Sequence, residues 1–183
     1  TADGDDHARH RKILAPALTK KAVAEYECYV RDIVIEEIEE LLFYRGGSCV
    51  HTIEKIPALV IGKLLGLPLT ESAKFIQWSM IGGLMLAGEI SASELEFLSR
   101  ETNEMKNYLL EKFESSLLHK EGKQTLLALL REACDEEEIT KEEAIGIAII
   151  LFGAGGESTS AVMGSAIFHL ASLPDIQKKL REN

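Results

Sequence analysis

Apolar residues recur along this chain mostly at three- and four-residue spacing, which predicts helices rather than strands. Val30, Ile33, Val34, Ile38, Leu41 and Leu42 share one helical face, with Arg31, Asp32, Glu36, Glu39 and Glu40 on the other. Gly46 and Gly47 are expected to stop that helix. A short apolar helix is expected over residues 57–65, ended by Gly66 and Pro68, and Thr70 is placed to cap the next, reaching about Ser79. Residues 80–89 are apolar and glycine-rich and read as a loosened helix end or a mobile apolar loop. Ser91 with Glu94 forms a capping box for a long helix through Leu118, and a shorter helix follows from Thr125 to about Ala133. Thr140 with Glu143 forms a second box, opening a helix that reaches Ala171 and measures roughly 48 Å. Pro174 starts the last helix. Strands are hardly supported, repeats are absent and no linker divides the chain. The expected fold class is all-α, a single unit over residues 1–183.

Composition narrows the class. A hydrophobic fraction of 46% with 27% charged residues supports a real core in a chain of 183 residues. The net charge of −10 argues against nucleic acid as the main partner, because phosphate binding needs a basic footprint. Cys28, Cys49 and Cys134 are odd in number and scattered, which points to a reducing, cytoplasmic setting rather than a disulfide scaffold. No signal peptide or membrane span is evident, the apolar run at residues 144–154 being too short to cross a bilayer. The chain starts without methionine and stops within a helical pattern, as expected of a piece of a longer protein.

Two stretches carry candidate chemistry. The first is Ala154-Gly155-Gly156-Glu157-Ser158-Thr159-Ser160, inside the longest apolar helix. Glycine there costs roughly 1 kcal/mol relative to alanine, so its presence calls for a reason. A phosphate loop is a poor fit, since no Lys-Ser/Thr pair follows the last glycine and no strand precedes it. A packing role is open, with small residues letting another helix approach closely. A chemical role is open too. Small side chains at Ala154 and Gly155 would let a flat cofactor or diatomic ligand reach the backbone. The Ser158 hydroxyl can turn back to the carbonyl of residue 154 and loosen the helix there, and Glu157 beside it can deliver protons. The second stretch is Asp3 to Thr19, in which His7 and Arg11 are four apart and share a helix face. Two such donors suit a carboxylate or phosphate. A solvated basic face with Arg9, His10 and Lys12 is the bland alternative, with Asp3, Asp5 and Asp6 merely favouring a helix N-terminus.

Taken in order, these segments resemble a cytochrome P450 of the bacterial soluble type, over about helix C to helix J. Asp3, His7 and Arg11, followed by Leu18-Thr19, resemble that family's D-P-x-x-H-x-x-x-R-x-x-x-x-x-x-F-T stretch in helix C. Val60-Ile61, Leu64-Leu65-Gly66 and Pro68 resemble V-I-x-x-L-L-G-x-P, and residues 125–130 resemble D-L-L-x-x-L-L. Residues 154–159 resemble the A-G-x-[DE]-T-[ST] core of helix I, and Leu173-Pro174-Asp175 the H-P-D that follows it. The resemblance implies a haem monooxygenase that activates dioxygen and inserts one oxygen atom into an apolar small molecule, with electrons from a ferredoxin or flavodoxin-type donor. It implies that His7 and Arg11 hold the propionates of haem b, that Ala154 and Gly155 leave room for it, and that Glu157 and Ser158 relay protons.

Departures from the family pattern are informative. Ser158 stands where threonine is usual, keeping the hydroxyl but losing the methyl that limits its rotation. Asp3-Gly4-Asp5 replaces D-P-P, and Leu18 replaces phenylalanine. The haem-ligand loop F-x-x-G-x-x-x-C-x-G and the E-x-x-R helix are expected beyond Asn183, so no metal ligand is assigned within this chain. The nearest match, from Phe43 to Cys49, has its cysteine one residue early and Thr52 in place of the last glycine. Without the axial thiolate the piece is not expected to be active alone. Two other classes remain open: an all-α prenyl-diphosphate enzyme binding magnesium through Asp3, Asp5, Asp6, Asp135, Glu136, Glu137 and Glu138, and a helical interaction module without chemistry.

Overall fold

The computed structural model describes residues 3–44, 48–86, 90–115 and 125–182. Among them the secondary structure is helical throughout: α1 (Gly4–Leu14), α2 (Lys20–Ala24), α3 (Glu27–Phe43), α4 (Val50–Leu65), α5 (Ser72–Leu86), α6 (Ala92–Glu114), α7 (Leu126–Asp135), α8 (Lys141–Ser172) and α9 (Pro174–Glu182), with short 3₁₀ turns at Ala15–Leu18 and Leu69–Glu71. The all-α expectation holds.

Local chemistry sets most of these boundaries. The Ser91 and Thr140 side chains each accept from the backbone N–H three residues on, while Glu94 and Glu143 reach back, so both capping boxes form. Thr125 caps α7 in the simpler way. Gly66 ends α4 at φ +84°, where a side chain would be strained. There Leu67 N–H donates to the Gly62 carbonyl at 2.9 Å and Gly66 N–H to that of Lys63 at 3.1 Å, the paired bonds of a Schellman ending.

Three expectations change. Helix α4 opens at Val50 and runs straight through Pro57, because the carbonyl that proline orphans finds another donor. Thr70 lies within a 3₁₀ turn rather than capping a helix, and α5 continues past Ser79 to Leu86. In α3 only Ile33 and Glu37 are buried, whereas Ile38 is 47% and Leu42 71% exposed. That helix packs mainly on α4, so only a narrow line of its apolar face finds a partner. Glu37 is tolerated there because Lys55 of α4 donates to it at 2.5 Å. The expected stop at Gly46-Gly47, residues 87–89 and the helix end near Leu118 lie outside the described residues.

Helix α8 is the centre of the packing. It lies against α4 and α5, which also touch each other, with α6 and α7 closing the same side; α1 packs on α7. Phe75 and Trp78 of α5, Tyr108 of α6 and Phe152 of α8 stack into one aromatic knot, with centroids 5.1–6.3 Å apart. Leu65, Leu109, Leu127, Leu130, Ala144 and Ala148 fill the surrounding core with no exposed surface. Among the described residues α8 is long and apolar enough, by length and composition, to cross a membrane, contrary to the reading of its apolar run alone. Only 28% of that apolar window is buried, so much of the apolar surface of α8 lies open.

Candidate functional site

The 3.6-residue period sorts the unusual residues of α8 onto different faces. Ala144, Ile145, Ala148, Phe152, Gly156 and Ser160 form the buried stripe. Gly156 is where α5 crosses: a β-carbon there would lie 2.3 Å from Ser79 Cβ and 3.1 Å from Ser79 Cα. Close helix packing, the alternative weighed for this cluster, is thus the work of Gly156. Gly155 lies half-buried beside Ile61 of α4, where a β-carbon would meet Ile61 Cδ1 at an ordinary 3.4 Å. Its missing side chain is not demanded by any described neighbour.

Ile150, Ala154, Glu157, Ser158 and Ala161 occupy the opposite face and are all exposed. On this open strip an acid and an alcohol sit side by side among apolar and small residues. Ser158 Oγ donates to the Ala154 carbonyl at 2.9 Å, the back-bond anticipated from the sequence. Helix α8 nevertheless continues unbroken through that point. Glu157 has no hydrogen bond or ion pair among the described residues.

Helix α1 sorts its cations in the same manner. Ile13 is buried, and Arg9 and His10 lie on the inward side. Arg9 Nη2 donates to Glu143 Oε1 at 2.7 Å and to Asp6 Oδ1 at 3.0 Å, while its Nη1 reaches the Glu138 carbonyl at 3.1 Å. His10 Nε2 lies 3.2 Å from the same Glu143 oxygen. The other Glu143 oxygen accepts from Thr140 N–H at 2.7 Å. One carboxylate therefore caps α8 and docks α1, and its pKa is lowered to about 2 by the Thr140 backbone donor first, with His10, the Thr140 hydroxyl and Arg9 adding to it against the opposing cost of desolvation. The sequence reading missed this tie. Its only signal was that Glu143 sat in a capping box while a basic helix remained without an acidic partner.

His7 and Arg11 project away from that contact. Both are exposed, lie one turn apart on one face, and have no ion pair or hydrogen bond among the described residues. The structure thus leaves a paired cationic face on α1 and an open strip on α8, joined through the Arg9–His10–Glu143 tie rather than by direct contact of the four side chains.

Neither acidic cluster is organised as a magnesium site. Among the described residues no group of three or more His, Cys, Asp or Glu side chains is arranged to hold a metal ion. The cysteines are free: Cys28 is exposed on α3, and Cys49 and Cys134 are half-buried. Burial, with Asp135 nearby, pushes the Cys134 thiol up, away from thiolate.

The family model described as Cytochrome P450 matches residues 91–183, just over half of the chain. Cytochrome P450 144 of Mycobacterium tuberculosis is 30% identical over 189 residues, an alignment covering 100% of this chain and 42% of that protein. Cytochrome P450 109 of Bacillus spizizenii is 27% identical over 192 residues, covering 100% and 46%. Among solved structures, CalO2 superposes with a TM-score of 0.90 at 23% identity, covering 100% of this chain and 46% of its own. CYP109E1 from Bacillus megaterium, crystallised with testosterone, gives 0.80 at 24%, covering 100% and 48%. The chain therefore spans a little under half the length of these proteins, and the structural likeness speaks to fold. His7 and Arg11 precede the family-model match and lie in the stretch covered by the whole-chain relatives.

Proposed function

This chain belongs to the cytochrome P450 family, and from that premise we propose that it forms the oxygen-activating part of a haem-thiolate monooxygenase acting on an apolar organic substrate. The observation that carries the reading is the open strip of α8, where Glu157 and Ser158 stand together beside the small Ala154. The residues present suit haem. An unpaired His7–Arg11 face offers charge-assisted donors to two propionates, and Ile150, Ala154 and Ala161 offer a low apolar surface to a flat ring. Haem b, when bound, would supply the iron chemistry of oxygen activation, with its thiolate from a cysteine other than Cys28, Cys49 and Cys134.

The side chains of this chain then act in named ways. Arg11 and His7 hold carboxylates by charge and hydrogen bond. Ala154 keeps the backbone of the strip approachable, whereas a β-carbon at Gly155 would point toward Ile61 of α4. The Ser158 hydroxyl rests on the Ala154 carbonyl and must rotate off it to present its proton toward the open side. Glu157, exposed and unpaired, exchanges protons with water and restores the one Ser158 gives up. The exposed apolar positions Ile150 and Leu84 support an apolar substrate, and the free cysteines support a cytoplasmic setting; a ferredoxin or flavodoxin-type electron donor rests on the family membership alone.

Coupling in Ser158 variants of the haem-loaded, full-length protein tests this. Ser158→Ala should bind haem and consume reductant but release peroxide, and Ser158→Thr should match or exceed serine, since the added methyl limits hydroxyl rotation. Ser158 is exposed, so neither change crowds a neighbour. Equal product per reductant in the serine and alanine forms would remove Ser158 from the relay.

A further inference from the structure

We propose that Ser160 is a positioning residue: its hydroxyl ties α8 to the Ile53 carbonyl that Pro57 orphans in α4, and this tie holds the Glu157–Ser158 pair in place. In a regular helix the carbonyl of residue 53 accepts from the N–H of residue 57. Pro57 has no N–H, yet it lies buried inside α4. Ile53 is itself buried, so its carbonyl cannot turn to bulk water, and a buried acceptor without a donor is costly. Ser160 reaches it from the other helix, Oγ to Ile53 O being 3.2 Å, with the Gly156 carbonyl of α8 at 2.9 Å sharing the same proton. The Gly156 carbonyl has the Ser160 N–H as its regular ladder donor. The Ile53 carbonyl is the one that depends on the hydroxyl.

The position of this bond gives it a role. Helix α8 is fixed at Gly156, against Ser79 of α5, and at Ser160, against α4. Glu157 and Ser158 lie between these two points on the opposite side of the helix. With side chains extending about 5–6 Å from a helix axis, a roll of roughly 10° moves Ser158 Oγ by about 1 Å, and a misplacement of that size can cost ~100-fold in rate. This role rests on the proton-relay reading of Ser158. The tie itself does not.

The experiment uses the haem-loaded, full-length protein with Ser160→Ala, Pro57→Ala and the double variant, and has two readouts. Urea unfolding reads the tie. Ser160→Ala should raise the unfolding equilibrium constant about 10-fold, but have little effect when alanine at position 57 supplies the missing N–H. Equal effects of Ser160→Ala in both backgrounds would overturn the tie. Product per reductant reads the positioning. Coupling should fall roughly threefold or more in Ser160→Ala and stay low in the double variant, although its stability is restored. Coupling that recovers with stability would overturn the positioning role. Should Ser160→Ala fail to fold, the double variant still carries this readout. Ser158→Ala, measured alongside, separates the two ideas: if it too couples normally, the relay reading fails, while the unfolding cycle still judges the tie.

Discussion

At position 156 a β-carbon would come within 3.1 Å of the Ser79 backbone, so Gly156→Ala must push α5 and α8 apart. Overpacking of this kind costs about 1–3 kcal/mol, whereas Gly155→Ala meets only an ordinary contact with Ile61 and should be neutral or gain up to ~1 kcal/mol in helix propensity. Denaturant midpoints of the two variants, at unchanged slope, should therefore move in opposite directions or at least differ clearly, and a more stable Gly156→Ala would contradict the crossing. The sequence pattern was enough to single out Glu157 and Ser158 and even the Ser158 back-bond, because those depend on neighbours within one turn. It could not say which glycine faces another helix. That depends on where Ser79 arrives, some eighty residues away in the chain.

Among whole elements, helix starts marked by a capping box were legible, whereas the starts of α4 and α5 were not. A capping box involves only residues three apart, so Ser91 and Thr140 announced α6 and α8 correctly. Pro57 looked like a helix start because the donor that rescues its orphaned carbonyl is Ser160, 107 residues from Ile53. The union of α1 with α8 was equally hidden, since Glu143 serves two helices at once. It also makes a pH prediction. The Glu143 carboxyl is lowered from an ordinary 4.5 to about 2, so the unfolded chain binds its proton more readily than the folded one. Its contribution is fully present above about pH 4.5 and is lost as pH falls toward about 2. Glu143→Gln keeps a capping-box acceptor but removes the charge facing Arg9 and His10. The variant should be the less stable at neutral pH and converge with the parent sequence in acid unfolding near pH 2. A difference that persists undiminished at that pH would mean that the charge is not what joins the helices.

Across the whole molecule, the apolar residues divide between a core that is closed and faces that are not. The aromatic knot and the α4–α5–α8 packing are complete, yet Phe43 is 82% and Val162 69% exposed, and Ile150 lies bare on the proposed haem side. A periodic pattern shows that a helix has an apolar face but not which part of that face finds a partner, which is why α3 looked more buried in the sequence than it is. The same geography decides what the chain can do with iron. Cys28 faces water on α3, Cys49 lies just before α4, and Cys134 on α7 is held toward its thiol form by burial. None belongs to the α8 strip that carries Glu157 and Ser158, and none is assigned as a ligand of the proposed haem. Reduced under carbon monoxide with added haem, the 183-residue chain should therefore lack the long-wavelength Soret band of a thiolate-ligated iron. A full-length protein should show it. If the 183-residue chain gave that band, and replacing one of its three cysteines by serine abolished it, the ligand would lie within this chain and the proposed division of labour would be wrong.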